Sequence, residues 1–518
     1  MFPVSTDLFD GLDRAVVDEI LAGSEHRRFA AGELLCRESD PADSLLVIES
    51  GAAEVLVGPA GRRIRRLRRG DVIGEIALMT GEVRSASVRA VVPVEAVEVR
   101  REAVAAMMGP HPQLLMNLSR ILSQRLARAH VEHVPAGRGE AVGIVVAQAS
   151  AAVADLLSAA AAATPKAVTS VVVADDLPPE TAARALDDLL AHHGYVFVVT
   201  HPDTPDLATL LAQLDRTVAI GVEGLPEAET VDLEDKGVAW TARHITRTKL
   251  GLALGAGGAK GYAHVGVLAV LEEAGYTVDF VSGTSIGAIV GACLAMGMSS
   301  GELEQVLRER FSPEVVKAVF NLSFSGTSTG YEVMRELTHG LTGERTFADL
   351  HIPFVAMAAD LNSRLPVPIS SGSLAEAILA STALAGLFPP FERDRQRLVD
   401  GLALVPVPVA SVIESGADIT VSVNLMSRET LSAWPGDEPL PTISGGRQRM
   451  LETLLEVMDL TQLDASVRHA AQADVTLTPR FGPCTWRDFH LADRFISSGR
   501  ESASGALDEL GKFARPCG

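Results

Sequence analysis

Three observations predict a multidomain α/β chain with a β-rich N-terminal part. Short apolar runs punctuated by turn residues extend from about Leu8 to Glu98. Strand and helix patterns alternate through the middle, and two successive strand–turn–helix units open the C-terminal part. At 518 residues the chain has room for three domains of ordinary size, drawn here at 1–134, 135–242 and 243–518.

In the first part, Leu45-Leu46-Val47-Ile48, Ala53 to Val57, Asp71-Val72-Ile73 and Ser87 to Val92 read as short strands of a β-roll or barrel. Between the last two lie Ile73-Gly74-Glu75-Ile76-Ala77-Leu78-Met79 and then Arg84-Ser85-Ala86. A carboxylate beside a glycine turn, with a guanidinium nine positions on, suits a cyclic nucleotide. The carboxylate can accept from a ribose hydroxyl, and the guanidinium can neutralise the cyclic phosphate. The segment resembles the phosphate-binding cassette of cyclic-nucleotide-binding domains, and Phe29 to Glu33 and Asp43 to Gly51 match that family's strands. The resemblance implies a site formed by Gly74, Glu75, Ile76, Ala77, Arg84, Ser85 and Ala86, with Glu75 on the ribose and Arg84 and Ser85 on the phosphate. The ligand would be cAMP or cGMP. A cassette that keeps its shape and binds nothing is the plain alternative.

Arg62-Arg63-Ile64-Arg65-Arg66-Leu67-Arg68-Arg69 is the one dense basic run. It is expected to be a solvated hairpin of the roll, with a patch for lipid headgroups as the sharper alternative. Pro110 and Pro112 precede a helix, Gln113 to Ala129, with Leu114, Leu115, Leu118, Ile121, Leu122 and Leu126 assigned to one face. The resemblance makes this helix the part that closes over bound nucleotide. Nothing beyond it reads as a helix-turn-helix, and Pro135-Ala136-Gly137-Arg138-Gly139 reads as a linker.

In the middle, Val142 to Val146, Ser170 to Val173, Tyr195 to Thr200 and Thr217 to Val222 read as buried strands. Helical patterns near Ala152 to Ala162, Glu180 to His192 and Leu207 to Leu214 separate them, so a small parallel sheet is expected. No turn there carries a phosphate-loop or dinucleotide glycine pattern.

The C-terminal part is organised around Lys249 to Gly297. Leu250 to Leu254 suits a buried strand, Gly255 to Gly261 a glycine-rich turn, and Tyr262 to Ala274 a helix. Val278 to Val281 is a second strand, Gly283-Thr284-Ser285-Ile286-Gly287 a sharp turn, and Ala288 to Met296 a second helix. Gly-x-Ser-x-Gly between strand and helix is a nucleophile-elbow pattern that exposes the serine at the carboxyl end of a sheet. The pentapeptide alone is weak; the glycine-rich turn one unit upstream makes the case, because its N–H groups could hold an oxyanion.

These residues resemble the patatin-like phospholipase family, and specifically the bacterial relatives of neuropathy target esterase. The family's glycine-rich motif reads here Ala256-Gly257-Gly258-Ala259-Lys260-Gly261, and its Asp-Gly motif reads Asp400-Gly401-Leu402. The resemblance implies a three-layer α/β/α hydrolase with a Ser285–Asp400 dyad and oxyanion donors at Gly257 and Gly258. Gly255, Lys260, Gly261, Gly283, Gly287 and Gly401 would support these motifs. Ala256, Leu402 and Ala385 depart from the family's residues, the first two in ways that narrow the site. A direct carboxylate–serine pair is expected to work best in a desolvated site. A Ser-His-Asp triad using His469 or His490, both after Asp400, is the competing arrangement. The uncharged stretch Ile378 to Phe391 offers Leu384, Leu387, Phe388 and Phe391 either as core filling or as an apolar rim admitting an acyl chain.

Composition narrows the functional classes. A net charge of −21 opposes nucleic-acid binding and simple adsorption to anionic membranes. Cys36, Cys293, Cys484 and Cys517 lack metal-ligand spacing and read as free thiols. MFPVSTDLFDGLD has neither a basic n-region nor an apolar h-region, so no cleavable signal is expected. Phe280 to Gly301 is uncharged, but its glycines and serines favour a buried turn and helix over a membrane span. The expectation is a cytoplasmic serine esterase without a catalytic cofactor, compatible with transient contact at the inner membrane surface. It would act on phospholipid or lysophospholipid under cyclic-nucleotide control. The alternative is a nucleotide sensor whose hydrolase-like domain is inert and recruits partners.

Overall fold

The structure, a computed structural model, describes residues 6–57, 62–80, 82–128, 139–147, 151–166, 168–173, 179–225, 228–319, 329–428, 430 and 446–515. The chain divides into two compact units, Met1–Leu157 with Lys166–Val238, and Ser158–Pro165 with Ala239–Gly518.

The first unit opens with a β-roll. Strands β1 (Glu25–Phe29), β2 (Leu34–Cys36), β3 (Ser44–Ser50), β4 (Ala53–Val57), β5 (Arg62–Leu67), β6 (Val72–Ile73), β7 (Ser87–Ala90) and β8 (Val94–Arg100) form two antiparallel sheets. Their orders are β1-β8-β3-β6 and β2-β7-β4-β5. The two-residue repeat of a strand explains the packing: Leu45 and Val47 of β3 enter one apolar cluster, Leu46 and Ile48 another. The helix Pro112–Arg128 completes the first cluster through Leu114, Leu118 and Ile121. Leu115, assigned to the same face from the sequence, is exposed, because consecutive helical residues turn by about 100°. The side chains of Leu122 and Leu126, residue Ala129 and linker residues 135–138 lie outside the described residues.

Five parallel strands follow: β9 (Glu140–Val146), β10 (Val168–Val173), β11 (Tyr195–Thr200), β12 (Arg216–Ile220) and β13 (Glu229–Val231), in the order β10-β11-β9-β12-β13. Every residue of the central β9 is buried, as a strand covered on both faces requires. The edge strand β13 escaped the sequence reading: of its three residues only Val231 is buried, too little for a pattern.

The basic run corrects the expectation of a solvated hairpin. Arg66 Nη1 donates to the carbonyls of Leu211 at 3.0 Å and Leu214 at 2.5 Å. Arg68, fully buried, donates from Nη2 to the Gln213 carbonyl and from Nε to Asp215 Oδ1 at 2.9 Å. These acceptors cluster at the C-terminal end of the helix Leu207–Leu211, where cations are favoured. The two arginines thus clasp the roll to the parallel sheet within one unit. The side chains of residues 62–65 lie outside the described residues.

The second unit is built on an eight-stranded mixed sheet. Its strands are β14 (Leu250–Leu254), β15 (Val278–Thr284), β16 (Phe354–Asp360), β17 (Pro366–Ile369), β18 (Phe391–Arg393), β19 (Gln396–Asp400), β20 (Ile419–Val423) and β21 (Val475–Leu477). The order is β18-β19-β16-β15-β14-β20-β21, with β17 on β16. Both faces are covered. Leu250, Leu252 and Leu254 of β14 point into the main core, while Ala253 joins Phe280 and Val412 on the other side. That double burial is why β14 is apolar throughout. At its start, Arg243 and Asp279 form a buried ion pair, Nη2 to Oδ1 at 2.6 Å, and Asp279 Oδ2 accepts the Leu250 N–H at 3.0 Å. The carboxylate thereby fixes where β14 and β15 begin relative to each other. Among the described residues no helix is long and apolar enough to cross a membrane.

Candidate active site

Ser285 caps the helix Ile286–Ala295 directly after β15, with φ 56° and ψ −122°. A side chain in this left-handed region is strained, and such strain is held only where the surroundings dictate it. Here they do: an added Cβ on Gly283 would sit 2.1 Å from the Gly287 carbonyl oxygen, and one on Gly287 2.2 Å from that of Leu254. The turn is therefore as tight as two glycines allow. Ser381, on the helix Leu374–Ser381, holds it from below. Its Oγ accepts the Ser285 N–H at 3.1 Å and donates to the Met357 carbonyl at 2.7 Å.

Asp400 ends β19, opposite Ala358 of β16. The register of β16 against β15 carries it to the elbow, and Ser285 Oγ donates to Asp400 Oδ2 at 2.6 Å. The other oxygen, Oδ1, accepts the Leu402 N–H at 2.9 Å, and the Asp400 N–H is held by the Ala383 carbonyl at 3.0 Å. Asp400 is buried and Ser285 half-buried, so the carboxylate is shielded while the serine opens on the cleft.

The glycine-rich turn lies alongside. The N–H groups of Gly255, Ala256 and Ala259 donate to Val423, Pro406 and Trp486 carbonyls. Those of Gly257 and Gly258 have no such partner among the described residues, and both residues line the same cleft as Ser285 and Asp400. Gly258 is at φ +57°, and a Cβ there would stand 2.4 Å from the Trp486 carbonyl oxygen, so only glycine fits. His264, in the first turn of the helix Tyr262–Glu273, is fully buried and its Nε2 is 2.9 Å from the Gly255 carbonyl oxygen. Burial pushes its pKa down to about 4, partly offset by that hydrogen bond, so the ring is neutral and donates from Nε2. Neither His264 nor Ser381 was singled out from the sequence. A histidine four residues after Lys260, on an otherwise apolar helix face, was the available signal.

The cleft, about 780 Å³ counted out to open solvent, is mostly apolar. Ile286, Ile289, Phe311, Met334, Leu384, Leu387, Phe388, Leu402, Met426 and Phe489 are among its lining residues. Of the four rim residues anticipated, Leu384, Leu387 and Phe388 line it and Phe391 does not. Lys260 lines it too: it is 6% exposed and has no hydrogen-bond or ion-pair partner for its ammonium among the described residues. His469 and His490 are not among the lining residues. Among the described residues no group of three or more His, Cys, Asp or Glu is arranged to hold a metal. Cys36, Cys293 and Cys484 form no disulfide among the described residues; Cys517 lies outside them.

In the roll, Gly74 (φ +96°) turns the chain from β6 into the short helix Glu75–Thr80, which carries Glu75 and Ala77 buried and Ile76 exposed. Arg84 is buried beside Gly74. Its Nη2 donates to the Ser44 carbonyl at 2.9 Å, while Nε and Nη1 have no partner among the described residues. Ser85 is exposed and Ala86 half-buried, leading into β7. The structure therefore brings Arg84 against Gly74, at the start of the Glu75 helix.

A family model for patatin-like phospholipase matches residues 252–413, and one for the cyclic nucleotide-binding domain matches residues 26–111. The chain is 27% identical to an uncharacterized NTE family protein of Mycobacterium tuberculosis, with 96% of this chain and 94% of that protein covered. It is 33% identical to patatin-like phospholipase domain-containing protein 6 of Mus musculus, over 36% of this chain but only 14% of that protein. Among solved structures, the Thermus thermophilus catabolite activator protein is similar at 29% identity. That likeness covers 24% of this chain and 61% of that one, less than two thirds, with a TM-score of 0.23. The chain thus carries a patatin-like phospholipase domain and an N-terminal cyclic nucleotide-binding domain, and its homologues include bacterial members of the NTE family.

Proposed function

We propose that this protein is a serine esterase that hydrolyses acyl ester bonds of phospholipids or lysophospholipids and is regulated by a cyclic nucleotide. The observation that carries the reading is the 2.6 Å hydrogen bond from Ser285 Oγ to Asp400 Oδ2 at an apolar cleft. Asp400 takes the serine proton as Oγ attacks the ester carbonyl, and the Gly257 and Gly258 N–H groups receive the developing oxyanion. The proton returns to the leaving alcohol, and water, deprotonated by the same carboxylate, releases the fatty acid. The apolar lining suits an acyl chain, and the uncompensated Lys260 ammonium suits a phosphate-bearing substrate over a neutral glyceride. For the roll, the support is the buried Arg84 with two uncommitted nitrogens, Nε and Nη1, which a cyclic phosphate would satisfy. The reading divides the chain into a nucleotide module at 1–134, a connecting domain at 135–242 and the hydrolase at 243–518.

The test is fatty-acid release from a lysophospholipid with and without cAMP, using Ser285→Ala as control. Release lost in the variant and altered by nucleotide supports both halves. Release indifferent to cAMP and to cGMP removes the regulatory half. No Ser285-dependent release, from this or a short-chain ester, leaves the inert sensor in its place.

A further inference from the structure

The carboxyl edge of the eight-stranded sheet carries more than the Ser285–Asp400 pair. β16 runs parallel to β15, with Thr284 opposite Met357, so it ends on the same edge as Ser285. It continues past Ala358, the partner of Asp400, to Asp360 before turning into β17. Leu361 therefore lies about 10 Å beyond Asp400 at strand spacing. A second turn, between β18 and β19, overhangs the same edge.

One buried carboxylate ties the two turns together. Asp360 accepts from the N–H groups of Asn362 and Ser363, each at 3.1 Å, in the first turn, and from that of Arg397 at 2.9 Å beside the second. Asn362 Nδ2 then donates to the Arg395 carbonyl at 3.0 Å. These bonds, that from Arg397 foremost, hold the Asp360 carboxyl down at about 2. The platform is set at any ordinary pH.

On it stand Leu361 and Leu365, 46% and 61% exposed, with exposed Arg364 and Arg395 beside them. Arg364 (φ +61°) and Arg395 (φ +66°) both hold left-handed backbone that glycine would adopt without strain. An arginine kept twice at such a position points to a use for the side chain. Nearby Arg393 and Arg397 lie against Asp394 and Glu392, whereas Arg364 and Arg395 have no ion-pair partner among the described residues. Exposed leucines flanked by uncompensated arginines fit one kind of surface. The leucines reach below the headgroups, and the guanidinium groups meet lipid phosphates.

We propose that the paired turns at 361–365 and 393–396 dock the protein on an anionic lipid surface with the cleft facing it, an inference that rests on the lipid-hydrolase reading above. The charge of −21 carried by the whole chain opposes adsorption elsewhere, so attraction confined to this edge would also fix the orientation.

The experiment is co-sedimentation of the full chain with phosphatidylcholine vesicles, with and without phosphatidylglycerol. Wild type is expected to partition onto the anionic vesicles. Leu361→Asp/Leu365→Asp should weaken partition about tenfold or more, and Arg364→Glu/Arg395→Glu should abolish the preference for anionic lipid. Both variants should hydrolyse a soluble short-chain ester at the wild-type rate, since none of the four residues lines the cleft. Unchanged partition in the leucine variant, equal wild-type binding to neutral vesicles, or no binding at all overturns the proposal. A wild type that binds vesicles but hydrolyses no ester overturns the esterase reading instead.

Discussion

Ala256 and Leu402 pack into one small apolar cluster with Met426, against Leu384. These are the two places where the motifs carry a larger residue than the family's, and their added atoms fill a single shared space. Neither substitution disturbs its backbone: Ala256 N–H still reaches the Pro406 carbonyl, and Leu402 N–H still reaches Asp400. Leu402 thereby shapes the wall of the cleft, and the Ser285–Asp400 hydrogen bond stands beside both departures. Leu402→Ala should cost about 2–5 kcal/mol of stability and lower KM for two-chain phospholipid more than for single-chain lysophospholipid. An unchanged ratio of the two KM values would dismiss the steric role of Leu402.

Asp400→Asn keeps the shape of the carboxylate and removes its basicity. It should lower kcat about a thousandfold with little change in KM. His469→Ala and His490→Ala should leave ester hydrolysis mostly intact, since neither residue lines the cleft. A thousandfold loss in either would restore a triad.

Leu387 and Phe388 line the cleft rather than only filling the core. Polar replacements such as Leu387→Asn and Phe388→Asn should raise KM for long acyl chains more than for short ones. Equal effects on both would show that the change is one of packing.

His264 predicts a specific pH dependence. Its folded pKa of about 4 lies below the ordinary 6.5, so the unfolded chain takes up its proton first as pH falls. Stability is fully present above pH 6.5 and is lost on going down to pH 4, by about 3 kcal/mol from this group. His264→Gln retains a donor for the Gly255 carbonyl and should flatten that part of the curve, measured by denaturant unfolding against wild type. His264→Ala should also lower kcat more than it alters KM, because the glycine turn loses its anchor, and His264→Gln should recover most of it.

Arg84→Gln should weaken cyclic-nucleotide binding about tenfold to a thousandfold. Without ligand, the melting temperature should stay level or rise, because a buried guanidinium with two uncommitted nitrogens disappears. Calorimetric titration and thermal unfolding in the presence and absence of cAMP read both.

The Ser285 turn was legible because its signal is local. Ser285 and the glycine turn sit within two adjacent strand–turn–helix units, whereas the partnership with Asp400, 115 residues further on, came only from the family resemblance. Positions that depend on distant partners were not. Arg66 and Arg68 read as surface charge because nothing near them in the chain reveals the helix end they meet at Leu211 to Asp215. Ser381 looked like one more small residue of an apolar helix, although its hydroxyl bridges the elbow and Met357. Leu115 failed for a geometric reason: a face assigned by counting leucines is wider than the face that packs.

The clasp made by Arg66 and Arg68 has a consequence for how this chain can be taken apart. Asp215 receives Arg68 on one oxygen and the Ala141 N–H on the other, so the same carboxylate serves both the roll and the first strand of the parallel sheet. Severing the chain between them would strand a buried guanidinium on one fragment and its acceptors on the other. A roll transplanted from another protein would need its own cation at this spot. The roll and the sheet are therefore one exchangeable part, and a fusion or deletion that respects the packing must carry them together.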